Sequence, residues 1–66
     1  MSPQDLIAEV LGTDVLTVSE IAGRARMNEM GAQSAVRAMQ KRGVVIRIAQ
    51  KKGLPDKFRM VVRSPA

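Results

Sequence analysis

The chain contains no cysteine, histidine, tyrosine or tryptophan and only one phenylalanine. Without cysteine there is neither a disulfide framework nor a thiolate metal site, so a small fold must hold by packing alone, and a reducing cytoplasm is its natural compartment. The lack of histidine, tyrosine and cysteine removes most side chains that act as general bases, nucleophiles or transition-metal ligands near neutral pH. The carboxylates are scattered and the glycines form no phosphate loop. The expectation is therefore a protein that is not an enzyme and takes no cofactor, metal or small-molecule ligand. No apolar run approaches the roughly 20 residues that cross a bilayer. The opening SPQDLIAEVLG is acidic, unlike the basic start of a secretory signal, and no membrane association is expected.

Positive charge is missing too, but only from one end. Residues 1–23 hold Asp5, Glu9, Asp14 and Glu20 and no base, whereas from Arg24 onward eleven bases stand against Glu29 and Asp56, a local balance of +9 within a total of +5. A basic half of this kind points to a polyanionic partner, usually nucleic acid; the alternative is a solvated basic surface. With 66 residues the chain makes a single domain, 1–66. Folding at that size buries only about 60% of the surface the unfolded chain exposes, so the core is small.

Periodicity and capping signals divide the chain into helices followed by strands. Ser2 is placed to cap a helix, with Pro3 at the first position, where its missing N–H is harmless, and Asp5 near the positive end of the macrodipole. Leu6, Ile7, Val10 and Leu11 follow at helical spacing until Gly12, which predicts a helix over about 3–12. Thr17 and Glu20 form a capping box, and Val18, Ile21, Ala22 and Ala25 supply the buried face of a second helix over about 18–25. Val15 and Leu16 before it fit a strand of one or two residues that pairs with the later hairpin.

Asn28 caps a third helix over about 29–42, with Glu29 in its first turn, Arg42 in its last and Gly43 ending it. Ala32, Ala35, Val36 and Met39 form its apolar side. Only residues 26–28 separate the second and third helices, and so short a link is the helix-turn-helix arrangement. After Gly43 the period becomes 2: Val44, Ile46 and Ile48 alternate with Val45, Arg47 and Ala49, and Phe58, Met60 and Val62 alternate with Arg59, Val61 and Arg63. Between them QKKGLPDK supplies turn residues, so a hairpin over about 44–63 is expected, with Arg47, Arg59 and Arg63 sharing the face opposite the apolar alternation.

LTVSEIAGRA, the helix through SAVRAMQKRG, and the following VV and FRMVV together resemble the winged helix-turn-helix domains of bacterial transcriptional regulators such as the MarR and IclR families. The likeness spans about residues 15–63. Glu20, Ile21 and Ala22 match the family's second helix, and Lys41, Arg42, Gly43 and Val44 match the end of its recognition helix. Arg26 stands in the turn where these families often carry glycine. The resemblance implies an α+β fold, a small winged helix with a three-helix helix-turn-helix core and a C-terminal β-hairpin wing. In a departure from those families, the 66 residues leave no room after the wing for an effector-binding domain or a long dimerisation helix, so a bare reader head is expected. The function implied is sequence-specific binding of double-stranded DNA by a small transcriptional regulator of bacterial or phage type.

In that frame the third helix offers Met30, Gln33, Ser34 and Arg37 to base edges in a major groove, where Gln33 suits adenine, Arg37 guanine and the Met30 thioether a thymine methyl. Lys41 on the same helix, Arg24 and Arg26 near the turn, and Arg47, Lys51, Lys52, Lys57 and Arg59 on the hairpin are the expected backbone contacts. Each has a plainer reading as a solvated polar face, and charges on an edge strand also discourage aggregation. Gly31 inside the helix costs about 1 kcal/mol relative to alanine. Close approach of its backbone to a phosphate or to the second helix would explain it, as would simple tolerance. Met30 and Ala38 on the outer face, with Glu29 before them, keep open a protein-binding module as the alternative, the partner being another protein or a second copy.

Overall fold

The computed structural model describes residues 2–61. It comprises helix α1 (Pro3–Leu11), strand β1 (Leu16–Thr17), helices α2 (Val18–Ala25) and α3 (Glu29–Lys41), and strands β2 (Val45–Ile48) and β3 (Lys57–Met60). The three strands form an antiparallel sheet in the order β1-β3-β2, giving a small α+β fold. Among the described residues no helix is long and apolar enough to cross a membrane.

Each helix begins where its cap residue directs. The Asp5 amide donates to Ser2 Oγ at 3.2 Å and the Ser2 amide to Asp5 Oδ2 at 3.4 Å, so Asp5 closes a capping box besides answering the dipole. The Glu20 amide donates to Thr17 Oγ1 at 3.2 Å, and the Thr17 amide returns to Glu20 Oε1 at 3.0 Å. That backbone donor, followed by the Thr17 side chain, holds the Glu20 carboxyl below its ordinary pKa, so the cap stays ionised and bonded through neutral pH.

The core collects Ile7 and Leu11 from α1, Ile21 and Ala22 from α2, Ala32, Val36 and Met39 from α3, and Leu16, Val45 and Phe58 from the sheet. Phe58, the chain's single aromatic, sits on the central strand, paired with Leu16 on one side and Arg47 on the other. The short strand β1 therefore ties the start of α2 to the hairpin, one residue later than the Val15–Leu16 expectation.

Register overturns the reading of the hairpin faces. Directly opposed residues of an antiparallel pair point to the same face, and the pairs here are Val45 with Met60, Ile46 with Arg59, Arg47 with Phe58 and Ile48 with Lys57. Val45, only 2% exposed, is the residue of β2 that enters the core, while Ile46 lies on the outer face and stays 39% exposed. Arg47 shares the inner face with Val45 and Phe58 but lies past the edge of the core, where its guanidinium meets Asp56 at 3.5 Å. Arg59 is on the opposite face. The expected stripe joining Arg47 and Arg59 does not form, because a one-residue difference in parity turns a side chain to the other side of a sheet. Val62 and Arg63 lie outside the described residues.

Candidate functional site

The third helix is fixed at both ends. Asn28 Oδ1 accepts the Gly31 amide at 2.7 Å, and a Cβ on Gly31 would stand 3.1 Å from that same oxygen. What crowds Gly31 is its own helix cap, and no contact with α2 explains the glycine. At the other end the Gly43 amide donates to Gln40 O at 3.0 Å and the Val44 amide to Met39 O at 3.1 Å, with Gly43 at φ +76°, a Schellman motif. Arg42 Nη1 donates to Gln4 Oε1 at 2.6 Å, which joins this end of α3 to α1.

With Ala32, Val36 and Met39 turned inward, the helical period stacks Met30, Arg37 and Lys41 in one line along the outer side. This ridge separates two depressions. On one flank Gln33 and Glu29 line a cleft of about 300 Å³ whose other walls are Thr17, Val18 and Ser19 at the start of α2 and Pro55, Asp56 and Phe58 of the hairpin. On the other flank Ser34 lines an open groove of about 370 Å³ with Gly31, Ala35 and Ala38, closed by Ser2, Pro3 and Gln4 of the α1 terminus. Gln33 and Ser34 thus look to opposite flanks of the ridge. Ala38 is half-buried rather than fully outward. The shared cleft shows that α3 and the hairpin loop stand on the same side of the molecule.

The nine basic contact candidates fall into two groups. Arg24 Nη1 meets Asp14 Oδ2 at 2.8 Å and Arg47 meets Asp56, exposed pairs of the kind worth about 0–1 kcal/mol. Arg26, Arg37, Lys41, Lys51, Lys52, Lys57 and Arg59 form no ion pair among the described residues. Lys51 and Lys52 sit at the hairpin tip, where the Leu54 amide donates to Lys51 O at 3.0 Å and Gly53 takes φ +91° to close the turn. Two features of this loop have no counterpart in the sequence reading: the exposed Leu54, and Asp56, which both answers Arg47 and lines the cleft. GLPD has the signature of a turn, and nothing in local pattern separates a turn's filler from its contact residues. Among the described residues no cluster of three metal-binding side chains occurs.

Arg26 occupies the left-handed region, φ 54° and ψ 46°, as the C-cap of α2. The Met27 amide donates to Ala22 O at 3.0 Å and the Arg26 amide to Gly23 O at 3.4 Å. This is the same motif that ends α3, but with arginine where α3 has glycine. A left-handed L-residue costs about 1–2 kcal/mol, of which Arg26→Gly recovers part, since glycine loses more entropy on folding. The expected result is a stabilisation of about 0.5–1 kcal/mol, a rise of a few degrees in Tm for a domain of this size, measured by scanning calorimetry. A fall in Tm on substitution would contradict this account of the turn.

Comparison of the chain with protein-family models and with curated proteins finds no match.

Proposed function

We propose that this chain is a duplex-DNA-binding domain of winged helix-turn-helix type, reading sequence through α3 in a major groove and fixing register through the hairpin as a wing on the phosphate backbone. The observation that carries the reading is the exposed outer side of α3, with Arg37 and Lys41 in no ion pair among the described residues and with Gln33 across a shared cleft from Pro55 and Asp56 of a loop that carries Lys51 and Lys52. A helix with its side chains is about 10–12 Å across and a major groove about 12 Å wide. Only three residues separate α2 from α3, the short link of a helix-turn-helix, in which N-terminal residues of the second helix reach base edges. Met30, Gln33, Ser34 and Arg37, all exposed, are the base-contact candidates. Arg26, Lys41, Lys51, Lys52, Lys57 and Arg59 are the backbone candidates, and Arg24 and Arg47 reach a phosphate by exchanging a surface carboxylate for it. A transcriptional regulator resembling the MarR and IclR types is the most specific form of the reading.

Selection of bound sequences from a random duplex pool tests it. Enrichment of a defined motif is the expected result, and its symmetry reports whether one or two copies bind. A pool that stays random after repeated rounds would remove sequence-specific reading.

Met30 favours a second reading, because 81% of that large apolar side chain is exposed on the outer ridge, and adaptable methionine suits protein surfaces. A protein partner that persists after nuclease treatment and is lost in Met30→Ala would favour it over DNA.

A further inference from the structure

We infer that the Leu54–Pro55 tip of the β2–β3 loop is an apolar wedge that enters a minor groove and partly unstacks a base step, bending the duplex. The inference rests on the DNA reading and adds to it a site with a mechanical action.

Single exposed leucines are ordinary on protein surfaces, so the exposure of Leu54, at 54%, is only the starting point. The rigidity of its support is the second observation. The Leu54 amide is held by Lys51 O at 3.0 Å, the turn is closed by Gly53 at φ +91°, and Gln50 Nε2 donates to Pro55 O at 2.7 Å across the loop. Below that brace, Arg47 and Asp56 pair at 3.5 Å. Pro55 fixes its own φ and adds a second exposed apolar surface beside the leucine. A side chain on a floppy loop would fold back onto the protein when pushed against stacked bases, whereas one held from both sides transmits the load.

The third observation is the setting. Lys51 and Lys52 precede the leucine in the turn and Lys57 follows it at the start of β3, and none of the three forms an ion pair among the described residues. Cations beside an apolar point match the minor groove, whose floor is the edge of the stack and whose rims are two rows of phosphate. Side chains such as Leu and Pro inserted there kink duplexes by about 20–90°. An apolar pocket on a protein would also take the leucine, but it would need an acidic rim on several sides to answer these lysines.

The test uses the full chain and a duplex of about 30 bp carrying the sequence recovered from the random pool, end-labelled for energy transfer, with 2-aminopurine placed in turn at each step. The wild-type complex is expected to bring the ends closer and to raise 2-aminopurine emission at one step. Leu54→Ala should lose both signals while its unfolding curve and the salt dependence of binding stay unchanged, and Leu54→Phe should keep the bend. A wild-type complex that binds with a straight duplex, or a bend that survives in Leu54→Ala, overturns the wedge and leaves the DNA reading standing. Failure to bind any duplex overturns both. Capture of a protein through Leu54 from nuclease-treated lysate, without bending of the duplex, assigns the tip to a protein surface and also overturns the wedge.

Discussion

Raising the salt concentration from roughly 50 to 200 mM weakens binding to duplex DNA about a thousandfold if six phosphates are neutralised. The six are Arg26, Lys41, Lys51, Lys52, Lys57 and Arg59, the backbone candidates without an ion-pair partner among the described residues. Each contact releases counterions and contributes about −0.9 to the slope of log K against log salt, so a slope near −5 is expected by anisotropy titration. Lys51→Ala with Lys52→Ala should make the slope shallower by about 2 and weaken every sequence alike. Arg37→Ala should instead relax discrimination at one base position by about 1–3 kcal/mol, roughly 5- to 150-fold, and change the slope by less. An affinity indifferent to salt defeats the DNA reading. Variants that behave identically across a panel of sites defeat the division of labour between helix and hairpin.

Ile21→Ala is expected to remove a large part of the chain's folding stability at 25 °C. Ile21 is 0% exposed and lies in the core on α2, the helix that packs against α1, α3 and β1. Truncating a buried isoleucine to alanine costs about 2–5 kcal/mol, and a core in a chain of this size rarely supplies more than about 3–5 kcal/mol in total. No disulfide supplements it. Ile46→Ala is the matched control: the same chemical change at a side chain 39% exposed on the outer sheet face removes less buried surface and should cost about 1 kcal/mol or less. Urea denaturation followed by circular dichroism separates the two. Equal losses would mean that Ile46, and not Val45, faces the core, and the register of β2 would have to be redrawn.

Helix positions were legible because their signals are local. Ser2, Thr17 and Asn28 cap within three residues of themselves, and Ile7, Leu11, Ile21, Val36 and Met39 recur at the helical period, so each helix is readable without its neighbours. The outward ridge of α3 followed from the same periodicity, since fixing the buried side of a helix fixes the opposite side. Gln33 and Ser34 were harder: both are outward by projection, but the flank each one faces depends on whether α1 or the hairpin packs beside it.

The strands were less legible for a physical reason. In VVIRIA the wholly apolar phase of Val44, Ile46 and Ile48 reads as the inward one, because Arg47 falls in the other, yet a period of 2 says nothing of where along the strand the core ends. Pairing with β3 chose the other phase, by setting Arg47 opposite Phe58 and Val45 opposite Met60, which parted Arg47 from Arg59. Side-chain hydrogen bonding behaved the same way. Asp14 and Arg24 are ten residues apart and Gln4 and Arg42 thirty-eight, and only packing brought either pair within hydrogen-bond distance.

By itself the sequence determined the three helices and their caps, the turn between α2 and α3, and the basic character of everything after Arg24, because propensity, capping and charge act over a few residues. The tertiary structure alone decided which strand face is inward, which cations are answered by a carboxylate, that α3 and the hairpin loop border one cleft, and that Leu54 stands exposed on a braced turn. Those properties depend on residues far apart in the chain being held at fixed distances, and no local pattern encodes such distances.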